Sequence, residues 1–351
     1  MKKKLIGSKP LYYHDNLYVY PFVTMSEDNS YVISYINDEG ILEEFCSFPQ
    51  GGDSSLSRVY QVSHGYMVAG IRTQGIAELV VIGKGNNMDP IVCERIGHTN
   101  VMSHDIVVLS EKYLINKDKI MSLPDGKIIM KLEIREQRGV GTRLFFTQLL
   151  GGEKCIIEYY DYTTHMTDIF LVDVFVGKII KKIEYKSRKN MHNIGNEDFA
   201  IIDNLLSSFN AEIFDKRLEK INEFHIDNDI ECYRVGKDND KMYLPMKDSI
   251  ISVDYIKGVI DKIKFQEYKY NWELIGSINK YMFFYISSKR IGIFNVDTKK
   301  YEVVKFAQKI YNTSIIGEKI YIVTAIDADR PYGEVLHKEG IMEVYCMEEE
   351  Q

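Results

Sequence analysis

The side chains best suited to proton transfer or anion recognition are eight histidines and 11 arginines. The densest group is "REQRGVGTR", residues 135–143, where Arg135, Arg138 and Arg143 surround a Gly-rich stretch. Arginine presents a planar fork matched to carboxylate and phosphate, so this grouping points to recognition of an acidic partner or anionic ligand. Arg188 and Arg330 fall in comparable connecting segments, as do His165 and His192. Together these seven residues are the candidate binding set. If the chain were instead a small-molecule hydrolase or lyase, His165, His192 and Arg138 would be the members of its site.

No catalytic, metal or cofactor motif accompanies them. GxSxG, HExxH and a phosphate loop are all missing from the sequence. "GKGNNM" (83–88) has Met88 where a dinucleotide fingerprint needs its third glycine, and it falls in a turn instead of before a helix. "DADRPYG" (327–333) starts with calcium-loop spacing, but Pro331 stands where the third ligand belongs. The histidines form no close pair of the kind zinc requires. Five widely spaced cysteines, odd in number and without CxxC, read as reduced and buried thiols. No catalytic residue, cofactor or metal is therefore expected.

The elements that must hold these residues are strands. With 25 Tyr and 16 Phe against one Trp and 7 Pro, the composition suits pleated, half-buried surfaces. Two phrases nearly repeat: "FLVDVFVGKIIKKIEY" at 170–185 and "ISVDYIKGVIDKIKF" at 251–265. Each is an apolar alternation, a tight turn and a second alternation, which is a hairpin. Related hairpins centre near residues 39, 86, 125, 176, 216, 257 and 297, a period of 39 to 51 residues. An earlier strand pair precedes most of them, as in "WELIGSINKYMFFYI" (272–286), making four strands per unit. A period of that length with four strands per unit is the mark of propeller blades.

The last unit is one strand short after "GIMEVYC" (340–346), while "KKKLIGS" near residue 1 has no local partner. Pairing the two would complete that blade and close the ring, which removes exposed sheet edges. The expectation is one all-β domain over 1–351, a propeller of eight four-stranded antiparallel blades. If "IIDNLLSSF" (201–209) is a helix or an irregular strand, the number falls to seven.

In its repeat style the chain resembles the quinoprotein-like (PQQ-like, YVTN-style) propeller superfamily. There an Asp ends one strand and a Gly follows four residues later, as in Asp173 and Gly177, or Asp254 and Gly258. Asp297 keeps the first half of this pattern with Tyr301 at the Gly position. The superfamily includes quinone-dependent dehydrogenases and non-catalytic scaffolds. The dehydrogenases are Trp-rich, exported and carry adjacent cysteines; this chain matches none of these traits, so the resemblance implies the fold without the redox activity. The Gly-His and Trp-Asp pairs of WD repeats are also missing.

Net charge is −7, and no run approaches the ~18 apolar residues of a membrane helix. The average field draws the chain neither to nucleic acid nor to lipid, although an average leaves local basic patches open. Lys2, Lys3 and Lys4 precede only Leu5 and Ile6, too short an apolar stretch for an export signal. The reading is a cytoplasmic, non-catalytic scaffold whose loop-rich face receives a protein, or an anionic small molecule. The partner contacts are expected in the 135–143 loop, the 186–197 connection and the 327–339 insertion.

Overall fold

The computed structural model describes residues 1–11, 20–28, 30–49, 54–61, 66–73, 76–83, 88–90, 106–123, 125–134, 142–195, 197–205, 208–227, 235–238, 240–246, 249–264, 272–325 and 340–348. Among them every regular element is a β-strand. The strands form seven four-stranded sheets and one three-stranded sheet. Eight four-stranded blades were expected. The three-stranded sheet holds Phe22–Met25, Ser30–Ile36 and Leu42–Pro49, and the strand expected ahead of it falls partly on residues 12–19, outside the described residues.

Contacts divide the chain into two compact units, one of Met1–Leu114, Met121–Lys127 and Lys305–Gln351, the other of Ile115–Ile120 and Ile128–Val304. In the first unit, Val23, Ile33 and Phe45 of the 22–49 sheet pack on Val59, Met67 and Ile82 of the 54–90 sheet. Its other face, with Phe22 and Ile36, meets Val323, Met342 and Val344 of the sheet formed by both chain ends. There Lys2–Leu11 pairs antiparallel with Gly340–Glu348, in a register running from Lys2 opposite Glu348 to Leu11 opposite Gly340. Lys3 adds a bond from Nζ to the Lys305 carbonyl at 2.6 Å and lies 5.0 Å over the Phe306 ring.

The second unit shows why the hairpin phrases repeat. In the 142–185 sheet, Lys154–Asp161 and Met166–Asp173 are buried almost throughout, since both of their faces are covered. Lys178–Tyr185, outside them, alternates exposed and half-buried positions because only one face is covered. Ile156, Ile169 and Leu171 interlock with Phe199, Ile201 and Phe214 of the 190–227 sheet. That sheet's other face packs on Met242, Leu244 and Val253 of the 236–264 sheet. The latter in turn meets Trp272, Phe284 and Phe294 of the 273–305 sheet. Full burial of each such side chain contributes about 1.5–3 kcal/mol, so these faces dominate the stability of the unit.

One alternative left open by the sequence is closed, and one expectation needs correction. The described part of residues 190–211, for which a helix or irregular strand was the alternative, belongs to a regular sheet of Asn190–Gly195, Asp198–Leu205, Ser208–Phe214 and Lys220–Asp227. The polar Asp203 and Asn204 broke the apolar alternation without breaking the pairing, in which they stand opposite Asn210 and Phe209. The Asp-to-Gly turn pattern was also placed two residues late at Asp297. The Asp173 carboxylate accepts from the Val176 N–H, and Gly177 adopts φ 70°. Asp254 and Gly258 do the same, with φ 73°. In the later hairpin the acceptor is Asn295, bonded by the Asp297 and Thr298 N–H groups, and Lys299 takes the positive φ of 56°. Asn caps such a turn as Asp does, so the spacing of four is kept with both residue types changed.

Candidate functional site

Of the seven predicted site residues, the structure brings His165 and Arg188 together on one aromatic residue, Tyr160. Tyr160 is the penultimate residue of the second strand of the 142–185 sheet, and the turn that follows is tied down by Asp161. The Asp161 carboxylate accepts from the Thr163 N–H at 2.8 Å and the Thr164 hydroxyl at 2.8 Å. His165 closes the turn at φ 57°, and its Nδ1 is hydrogen-bonded to the Tyr160 hydroxyl at 2.8 Å. Arg188 lies in the connection to the next sheet. Thr167 fixes that connection, donating its hydroxyl to the Ser187 carbonyl and accepting from the Lys189 N–H, each at 3.0 Å.

So held, the exposed Arg188 guanidinium stands 5.4 Å over the Tyr160 ring and 5.6 Å over the Phe145 ring. Phe145 and Tyr162 both pack against Tyr160, with centroids at 5.9 and 4.9 Å. Stacking on an aromatic face orients the guanidinium and contributes about 0.5–1 kcal/mol at an exposed site. Among the described residues Arg188 makes no ion pair within 4.0 Å.

Beneath this group lies Glu158, two residues before Tyr160 and 1% exposed. One carboxylate oxygen accepts from the Met191 N–H of the neighbouring sheet at 3.0 Å; the other, Oε1, has no partner among the described residues. Burial pushes its pKa up to about 7, with the Met191 bond and the nearby Arg188 charge pulling the other way. His192 sits apart on the face carrying Ile194, by strand alternation, opposite Ala200 in register. Its Nε2 is enclosed without a partner among the described residues, and burial pushes its pKa down to about 4.

The backbone of Arg143 pairs directly across from Tyr160. Arg135, Arg138 and Arg330 lie outside the described residues, as do most of the 135–143 loop and all of the 327–339 insertion. Phe145, Glu158, Tyr160 and Tyr162 were missed in the sequence. The signal was the run "EYYDY" (158–162), in which Glu158 and Asp161 interrupt an otherwise apolar strand. Among the described residues no group of three acidic, His or Cys side chains could hold a metal ion. Cys46, Cys155 and Cys346 are free and buried, and burial raises the Cys155 thiol pKa to about 12.

Comparison with known proteins places this geometry in a class. BamB from Moraxella catarrhalis, a quinoprotein-like propeller, superposes with a TM-score of 0.56 at 10% identity, covering 100% of this chain and 99% of its own. The computationally designed Ika8 protein gives 0.57 at 9% identity, covering 93% and 92%. Sqt1 of Saccharomyces cerevisiae gives 0.53 at 11% identity, covering 92% and 91%. Likeness at such identities shows the fold: an all-β propeller of four-stranded antiparallel blades, with a fold-level resemblance to the quinoprotein-like propellers. No protein-family model matches the chain. No curated protein matches it either.

Proposed function

We propose that the chain is a non-catalytic scaffold that presents the Arg188 face to an acidic segment of a partner protein, or to an anionic small molecule. Arg188 carries this reading: an exposed guanidinium, oriented by two rings and not neutralised by any described carboxylate within ion-pair range. The rigid sheets hold independent turns and connections at one end, which suits contact with a broad surface. Arg135, Arg138, Arg143 and Arg330 extend the same positive face in this proposal. The proposal also takes residues 1–351 as a single domain, a ring of eight blades closed where Lys2–Leu11 meets Gly340–Glu348, located in the cytoplasm. The three-stranded 22–49 sheet would be the eighth blade.

One observation favours a second reading, a hydrolase or lyase: Glu158 is perturbed into the range of a general acid. A general acid must touch its substrate, however, and Glu158 is covered where it stands. The scaffold reading is therefore preferred. Affinity capture from the native cell with wild type and Arg188→Ala tests it. The variant is expected to lose the captured partner by about tenfold, the scale of one charge-assisted contact. Equal capture by both proteins would remove Arg188 from the interface.

A further inference from the structure

The opposite end of the same sheets carries a second surface, distinct from the Arg188 face. There the turns between third and fourth strands project, and each leans on the outer strand of the preceding sheet. A Cβ on Gly177 would stand 3.2 Å from the Ile129 carbonyl. Lys181 donates to the Leu218 carbonyl at 2.6 Å, and the Asn222 amide donates to the Tyr255 carbonyl at 2.9 Å. These contacts join three successive turns and three outer strands into one row within the second unit.

The row is apolar where it projects furthest. Phe175 is 75% exposed, Val176 66% and Ile256 56%, with Ile128, Ile180 and Ile260 exposed beside them. Turn tips are normally polar, so large exposed apolar side chains at several of them mark an interaction site. The same stretches (128–131, 173–182, 215–221 and 254–262) contain nine Lys or Arg against five Asp or Glu, in a chain of net charge −7. Three of those acids, Asp173, Asp215 and Asp254, are engaged by N–H groups of their own turns. Lys216, Arg217 and Lys257 project from the tips with their side chains largely exposed, paired with Glu197, Asp215 and Asp254.

We propose that this row docks on an anionic lipid surface. Phe175 and Val176 stand on one tip and Ile256 on another, with the charged Lys216–Arg217 tip between them, so they form no continuous groove for a folded partner. A fluid interface accepts isolated apolar side chains at several points while its headgroups meet the flanking cations. A second copy of the chain would set lysine against lysine and is disfavoured by charge.

Co-sedimentation of the full chain with vesicles of phosphatidylcholine, alone or mixed with phosphatidylserine, tests the proposal. Binding is expected only to the mixed vesicles, weakening as salt is raised. A Phe175→Ser/Val176→Ser double variant, altered only at exposed positions, is expected to bind about tenfold more weakly, and Arg188→Ala as wild type. Independently, the Phe175→Trp variant should shift its emission to the blue on mixed vesicles, against a constant signal from the buried Trp272. No sedimentation, equal binding by the double variant, or an unshifted emission from the Phe175→Trp variant would each overturn it. Capture by immobilised polyglutamate without vesicle binding would overturn it in favour of an acidic protein.

Discussion

Glu158 shows how a single residue can couple two sheets to pH. Its folded pKa of about 7 lies above the ordinary 4.5, because burial penalises the charged form. Its stabilising contribution is therefore complete below about 4.5 and is lost as pH rises through about 7. The shift corresponds to roughly 3 kcal/mol at alkaline pH. His192 works in the opposite direction: its depressed pKa supports the fold above 6.5 and loses that support as pH falls through about 4. Comparing Glu158→Gln with wild type by urea unfolding isolates the first effect. The variant is expected to gain stability at about pH 8 and little at about pH 5. A constant difference across that range would mean that Glu158 does not titrate in the fold.

The hairpin turn is the element on which the repeat is built, and its glycines are not equivalent. Gly177 and Gly258 share nearly the same positive φ, which costs an L residue about 1–2 kcal/mol. At Gly258 an added Cβ meets nothing within 4 Å, whereas at Gly177 it presses on the Ile129 backbone carbonyl. Gly177→Ala should therefore be the more destabilising of the two, and thermal unfolding of both variants compares them directly. Leu218 and Lys299 already occupy positive φ in related hairpins, so the fold tolerates the strain where space allows. Equal losses for both alanines would remove the steric part of this argument.

At the scale of the molecule, the sheet shared by both chain ends protects what would be an open edge. Lys2–Leu11 covers Gly340–Glu348 along nine paired positions. Deleting residues 2–11 would leave that strand's backbone groups unpaired and ready to pair with another chain. The shortened protein is expected to unfold at lower temperature and to elute at larger size in gel filtration. A monomer of unchanged melting temperature would show that the strand is dispensable.

The strand periodicity, the Asp-capped turns and the pairing of the two ends were legible in the residues, because hairpin chemistry is local and a missing strand shows up in a repeat. Arg188 and His165 could be named from their place in connecting segments. That they meet on Tyr160 could not, since the meeting depends on how the Asp161 turn and the Thr167 bonds bring separate segments together. The row of Phe175, Val176 and Ile256 was hidden for a related reason. Alternation marks a residue as apolar, but only packing between neighbouring sheets decides whether that residue is covered.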